Sequence, residues 1–328
     1  MYSQSPLYIL LVDWQVKCGE TMGAIKDVLY VRFYVTDLRV QQQFLEDFGF
    51  KSEIDNGLLI ARGTDGSPYI YVAEQSSEPT FVSVGFTAES ETELRNLAAL
   101  DDVPVESNNM PGGGLIARLT DPNGFSVEVV ANVTDSPLLT VACRSGFNDG
   151  AEKQRLGERV AFAAPECLIK RLGHVVLMVN DFSETFEWYQ RRFGLLISDE
   201  IVMNEEGKEQ TLGAFTRCNR GEKYVDHHTL FFINAGDADF NHAAFEVANW
   251  DVLMQNHYKL KKAGHRHSFG VGKHILGSQI FDYWKDPDGF MLEHFTDGDL
   301  LNESFGSHKR GLEDLLGTHW GPDGMPGQ

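Results

Sequence analysis

Two stretches far apart in the chain carry the same pattern. Residues 120–130 read TDPNGFSVEVV and residues 285–295 read KDPDGFMLEHF. In both, Asp-Pro-(Asn/Asp)-Gly is turn chemistry, with proline fixing one backbone angle and glycine supplying a positive one, and an alternating strand follows. The alignment lays Glu128 over Glu293. Upstream, LYVRFYVTDL (29–38) parallels GHVVLMVNDF (173–182), an apolar strand that ends in an Asp. A helical pattern then runs through Val40–Phe48 to a stop at Gly49, and through Ser183–Phe193 to a stop at Gly194. A chain that writes one unit twice is constrained to fold as a duplicated domain.

Each half divides again. FVSVGFTA (81–88) opens a strand before a helical stretch, Ser90–Leu100, and HAAFEVA (242–248) does so before Trp250–Ala263. The pattern predicts four strand–helix–strand–strand–strand modules over 27–75, 76–131, 170–235 and 236–298, an α+β chain of two domains with two βαβββ modules each. The boundaries expected are an N-terminal extension (1–24), a first domain (25–131), a connector (132–169), a second domain (170–298) and a Gly/Pro-rich tail (299–328) packed over the surface. Residues 201–226 read as a loop.

At 328 residues the chain can bury two ordinary cores. No apolar run approaches the ~20 residues that cross a bilayer. The short run Tyr8–Val12 is cut by Asp13 and has no basic segment before it, so neither a secretory signal nor a membrane partner is expected. A cytoplasmic enzyme is the default. The net charge of −20, from 48 acidic and 28 basic residues without a Lys/Arg stripe, disfavours nucleic acid as a partner. Cys18, Cys143, Cys167 and Cys218 lack CxxC spacing, which argues against a zinc knuckle or a disulfide scaffold and for reduced thiols.

Histidine placement is uneven. None of the 11 histidines precedes position 174, and nine fall between His174 and His294. In the predicted arrangement His174 lies on the first strand of the third module, His242 on the first strand of the fourth, and Glu293 on the last strand of the fourth. Two neutral imidazoles and a carboxylate cover one face of a metal and leave positions open, which suits Fe(II), or Mn(II), with a chelating substrate and dioxygen. A structural zinc would close a four-ligand shell instead. His174 and His242, each taken alone on an apolar strand, read more readily as satisfied core histidines than as ligands. Glu293 within FMLEHF is costly to bury unpaired, although Glu128 keeps the same place in the first half. The first half has Tyr30 where the second has His174, and Phe81 or Val82 opposite His242. It therefore lacks both imidazoles, and the metal site is expected in the C-terminal half alone.

Other polar residues fall nearby. Tyr283 precedes Glu293 in SQIFDYW, His274 lies in the loop GVGKHILG, and His227 and His228 start HHTLFF. Tyr283 and His274 also read as a core aromatic and a loop histidine. Strand alternation would turn only one of the His227/His228 pair inward and leave the other exposed. His257, His265 and His267 read as solvated.

Taken together, His in LGHVVL, His in NHAAFEV, the ordered set His274, Tyr283 and Glu293, and the HHTLFF strand resemble the type I extradiol ring-cleaving dioxygenases, such as catechol 2,3-dioxygenases, of the vicinal oxygen chelate superfamily. The resemblance covers residues 26–298 in organisation and is specific over 170–295. It implies the vicinal oxygen chelate (glyoxalase-like) fold, an assembly of tetramer size or larger, and His174, His242 and Glu293 as ligands of iron. It implies His227 as the acid/base, with His228 second choice, and Tyr283 and His274 as hydrogen-bonding residues on the substrate side. The implied reaction is extradiol cleavage of a catechol by dioxygen. The alternatives are another metalloenzyme of the superfamily, a glyoxalase-like isomerase or a thiol transferase, and a non-catalytic protein that binds a small aromatic.

Overall fold

The computed structural model of the chain describes residues 23–140, 146–160, 167–205 and 207–324; most of the expected N-terminal extension, with Cys18, and Cys143 lie outside them. The first half runs β1 (Ile25–Val35), α1 (Leu38–Phe48), β2 (Lys51–Asp55), β3 (Leu58–Arg62), β4 (Tyr71–Gln75), then β5 (Thr80–Ala88), α2 (Glu91–Leu100), β6 (Val105–Ser107), β7 (Leu115–Thr120) and β8 (Ser126–Ala131). The second half repeats it with β9 (Ile169–Val179), α3 (Phe182–Phe193), β10 (Leu196–Glu205), β11 (Lys208–Arg217), a short β12 (Val225–Asp226) and β13 (Leu230–Asn234), then β14 (Asp239–Val247), α4 (Trp250–Ala263), β15 (Arg266–His274), β16 (Ile280–Lys285) and β17 (Met291–Thr296).

Local chemistry sets the helix ends. Asp37, Ser90, Asp181 and Asn249 each accept backbone N–H groups from the first turn of α1, α2, α3 and α4, which satisfies donors the helix cannot use. Because Asp37 and Asp181 are the caps, α1 and α3 start slightly earlier than the apolar pattern suggests. Gly49 closes α1 at φ 111°, a left-handed position that a side chain resists.

The first sheet has the order β2-β3-β4-β1-β5-β8-β7-β6, and the second carries β10-β11-β13-β9-β14-β17-β16-β15 at its centre. Strand for strand the two orders correspond. In each, the first strands of the two modules pair antiparallel (β1 with β5, β9 with β14), and the last strand of each module lies parallel to its first. This is the vicinal oxygen chelate fold, built as repeated modules.

Of residues 201–226, expected to be a loop, only 218–224 form one. β10 and β11 form a hairpin paired from Leu196 and Arg217 out to Glu205 and Lys208. Its outer end is exposed on both faces, so its charged residues hide the alternation that marks a half-buried strand. Nor does the tail merely pack on the surface. Its strands β18 (Leu300–Leu301), β19 (His308–Arg310) and β20 (Thr318–Trp320) pair with β12, β10 and β15, and α5 (Leu312–Leu316) bridges the last two.

One apolar core runs through both halves. The Phe48 carbonyl, at the end of α1, accepts from His294 Nε2 at 2.7 Å and Asn256 Nδ2 at 2.6 Å, and the Phe48 ring stacks on His294 at 3.6 Å. Gln41 Nε2 donates to Asp286 at 2.9 Å, and Arg192 forks onto Asp101. Among the described residues, no helix is long and apolar enough to cross a membrane.

Candidate metal centre

Strand register explains why three residues distant in sequence meet. On neighbouring strands β9, β14 and β17, His174 lies opposite Ala244, and Ala244 opposite Glu293. His242 is two residues before Ala244 and so shares its face. The ligand atoms of His174, His242 and Glu293 lie within 4.8 Å of one another. His174 Nε2 is 3.3 Å and His242 Nε2 3.2 Å from Glu293 Oε2, separations that suit ligands sharing one ion at bonds of about 2.1 Å. All three side chains are buried, Glu293 completely (0%).

The donors fit a divalent cation. Both rings lie at ion-pair distance but off the line of a hydrogen bond, so His242 Nε2 and both Glu293 oxygens are buried without a hydrogen-bond partner. Leaving such groups unmet costs folding energy, and a cation between them would satisfy all three. Burial would raise the Glu293 carboxyl, but the two imidazoles hold it well below the usual carboxylate range. His242 Nδ1 lies 2.8 Å from Asn241 Oδ1. That acceptor holds the proton on Nδ1 and leaves Nε2 free to bind metal. The sequence reading passed over Asn241, because strict alternation puts neighbours on opposite faces. A β-bulge between Phe240 and His242 breaks the alternation and lets both side chains reach the cavity.

The same bulge recurs in the first half, where β1 and β5 slip between Arg32 and Phe33. It corrects the alignment: the residue corresponding to His242 is Ser83, not Phe81 or Val82, since Ser83 precedes Gly85, and Gly85 faces both Tyr30 and Glu128. There Glu128 accepts from Tyr30 Oη, Ser83 Oγ (3.2 Å) and Arg118 Nε (3.2 Å), with Arg32 Nε at 3.6 Å. A Cβ on Gly85 would fall 2.0 Å from the Tyr30 ring, so glycine is what admits the tyrosine. Hydroxyls and guanidinium groups thus neutralise Glu128 where no imidazole is available.

In front of His174 and His242 opens a cavity enclosing about 620 Å³ of space, mouth included. His228, His274 and Tyr283 line it with them; His227 does not. Tyr283 lies opposite Glu293 on β16, and its hydroxyl is 3.0 Å from His274 Nε2. His274 is the last residue of β15 rather than a loop residue, because the tail strand β20 pairs there and extends the sheet. Burial, reinforced by the Glu293 charge, raises the Tyr283 phenol well above its ordinary value. Burial also pushes the His274 imidazole down to about 4, so it is neutral at pH 7.

The expectation that one of His227 and His228 is exposed fails. Both are buried, because they sit in the link between β12 and β13, outside any strand, where alternation does not operate. Their Nδ1 atoms are 3.1 Å apart, and His227 Nε2 lies 2.8 Å from Asp199 Oδ2. Arg310, from the tail, donates to the other Asp199 oxygen. Although burial opposes it, His227 and Arg310 hold the Asp199 carboxyl below its ordinary value. His228 faces the cavity, its ring centroid 4.0 Å from that of His174. Burial and the neighbouring imidazoles lower its pKa well below 6.5.

His257, His265 and His267 are not simply solvated. His257 Nδ1 lies 3.1 Å from both oxygens of Asp282, His267 Nε2 lies 2.9 Å from one, and Trp284 Nε1 donates to the other at 2.7 Å. His265 Nε2 is 2.9 Å from Asp47. A carboxylate as buried as Asp282 must be paired, which draws two of these histidines to it. Unlike Glu293, it leaves no oxygen unpartnered. Cys167 and Cys218 are buried free thiols, and burial raises both well above the reactive range.

Fold and site together define a chain with the vicinal oxygen chelate fold in both halves and one candidate His-His-Glu centre among the described residues. Residues 171–294, which hold all three candidate ligands, match the family model of the Glyoxalase/Bleomycin resistance protein/Dioxygenase superfamily. The chain is 27% identical over 329 residues to metapyrocatechase 2 of Cupriavidus necator, covering 94% of this chain and 93% of that one. Similar solved structures include the Mn(II)-bound glyoxalase of Novosphingobium aromaticivorans (TM-score 0.74, 19% identity, 93% of each chain). The 2,3-dioxygenase LapB of Pseudomonas sp. KL28 is another (TM-score 0.72, 15% identity, 90% of this chain and 100% of that one). A third is homoprotocatechuate 2,3-dioxygenase of Arthrobacter globiformis (TM-score 0.71, 19% identity, 89% and 86%). The resemblance to extradiol dioxygenases drawn from the sequence agrees with these findings.

Proposed function

We propose that the protein is an extradiol dioxygenase, an oxidoreductase that opens the ring of a catechol-type substrate with dioxygen at a mononuclear non-haem Fe(II) held by His174, His242 and Glu293. The observation that carries this reading is that His242 Nε2 and both Glu293 oxygens are buried without a hydrogen-bond partner, while His174 and His242 line an aromatic-walled cavity. The full-length relative named as a metapyrocatechase supports it. A bound divalent iron supplies Lewis acidity toward adjacent hydroxyls, open coordination positions and electron transfer to dioxygen.

The chain's own residues handle protons and position. We assign His227 the tautomer that donates from Nε2 to the Asp199 carboxylate, which turns its Nδ1 lone pair toward His228. His228 then donates from Nδ1 and presents an unprotonated Nε2 to the cavity. This arrangement supports His228 over His227 as the acid/base, which takes a proton from the substrate diol and returns one as the dioxygen-derived bond breaks. Tyr283 keeps its proton and donates to the anionic substrate oxygen, with His274 orienting it. Phe215, 4.9 Å from the His228 ring, excludes water from this side.

Anaerobic reconstitution with Fe(II), followed by oxygen uptake and a ring-opened chromophore on adding catechols, tests the reading. Glu293→Ala should lose iron, and full iron content and activity in that variant would refute the ligand set. His228→Phe should keep iron and lose about 100-fold or more in turnover. If His227→Phe alone behaves so, the facing histidine is misassigned.

A further inference from the structure

The walls of the cavity sort possible substrates by charge. Apart from the reacting end, they are Val176, Phe215, Phe231, Ile233, Leu276 and, from the tail helix α5, Leu315. Phe215 and Phe231 stack at 4.0 Å with planes 10° apart, giving a flat aromatic face. All six belong to one apolar cluster distinct from the main core. The remaining polar lining consists of Asn241, beside His242, together with Gln279 and Asp314, and among the described residues no lysine or arginine lines the space. Two basic residues beside the lining segments are already engaged, Lys273 with Asp297 at 2.7 Å and Arg310 with Asp199 at 3.1 Å.

We infer that the cavity takes an uncharged catechol bearing an alkyl or aryl substituent, with the tail helix as its outer wall. This rests on the ring-cleavage reading for the diol end. The wall itself argues for the substituent. An apolar group gains by covering Phe231, Ile233 and Leu315. A carboxylate there would be buried with no cation to pair it and with the Asp314 carboxylate at the same wall. Selection is therefore both attractive and repulsive, and Leu315 and Asp314, adjacent on α5, supply one of each.

The test uses the full chain loaded anaerobically with Fe(II) and reads equilibrium binding of 4-butylcatechol and 3,4-dihydroxybenzoate by the absorbance of the bound catecholate. The butyl compound should bind at least about tenfold more tightly. Leu315→Asp should shrink that preference about fivefold or more with iron content unchanged, and Asp314→Asn should shrink it from the other side by strengthening the carboxylate compound. Equal or reversed affinities in the wild type, or a preference untouched by both variants, would overturn the substrate class. Binding in the expected order without oxygen uptake would leave the class standing and overturn the reaction.

Discussion

Between Asp199 and the cavity, two adjacent histidines form a line of hydrogen bonds whose direction is set by the carboxylate at its far end. Asp199→Asn removes the charge that fixes the His227 tautomer. Turnover should fall about 10- to 100-fold with iron retained. Without the nearby anion, protonation of His228 becomes harder, so the acid limb of the rate profile should move to lower pH. A steady-state pH profile with metal analysis checks both; unchanged kcat and profile would mean that Asp199 serves packing alone. Position in sequence says nothing of this, since Asp199 lies on β10 and is brought to His227 only by the fold. Asn241 was hidden for a different reason. A bulge is a local departure from alternation, and alternation was the rule used to read the strand.

Elements meet where turn chemistry and burial compete. Asp286 opens the second Asp-Pro-(Asn/Asp)-Gly turn, its Oδ1 accepting from the backbone N–H of Asp288 and Phe290, while Oδ2 accepts from Gln41 on α1. Burial outweighs these bonds and raises its pKa to about 7. A folded-state pKa above the unfolded one means that the native state holds a proton the unfolded chain has released. This contribution to stability is fully present below about pH 3.8 and is lost as pH rises through about 7. Asp286→Asn carries no such titration. Its deficit relative to wild type should therefore shrink by about 2 kcal/mol between pH 5.5 and 8, following the linkage slope of roughly 1.4 kcal/mol per pH unit. Gln41 Oε1, buried and unpaired as it stands, can turn to accept from the new amide. Urea unfolding at the two pH values decides it, and a constant difference would contradict the protonated turn.

At the scale of the molecule the first half packs behind the candidate metal centre without supplying one of its candidate ligands. Phe48 stacks on His294 and accepts from it and from Asn256, which clamps β17 one residue beyond Glu293. Phe48→Ala should cost about 3–5 kcal/mol of stability. Unlike an equal loss elsewhere in the core, it should also weaken metal retention, by about tenfold or more, as changes behind a ligand do. Chelator competition on the folded variant measures this, and metal affinity equal to wild type would show that the halves share only a core. Duplication thus left one half with a Tyr–Ser–Glu–Arg cluster in place of a site and a part in holding the other half's carboxylate.

The modules, their order, the glycine stops of α1 and α3, and the three residues that meet at the candidate centre were legible in the sequence. Turn residues, alternation and helical spacing act over a few neighbours, and the repeat showed the same pattern twice. The fold alone decided that both His227 and His228 are buried, that Ser83 stands in for His242, that 201–217 is a hairpin, and that the tail walls the cavity. Each of these depends on strand register or on pairing between distant segments, and side chains brought together in that way leave no periodic mark on the chain.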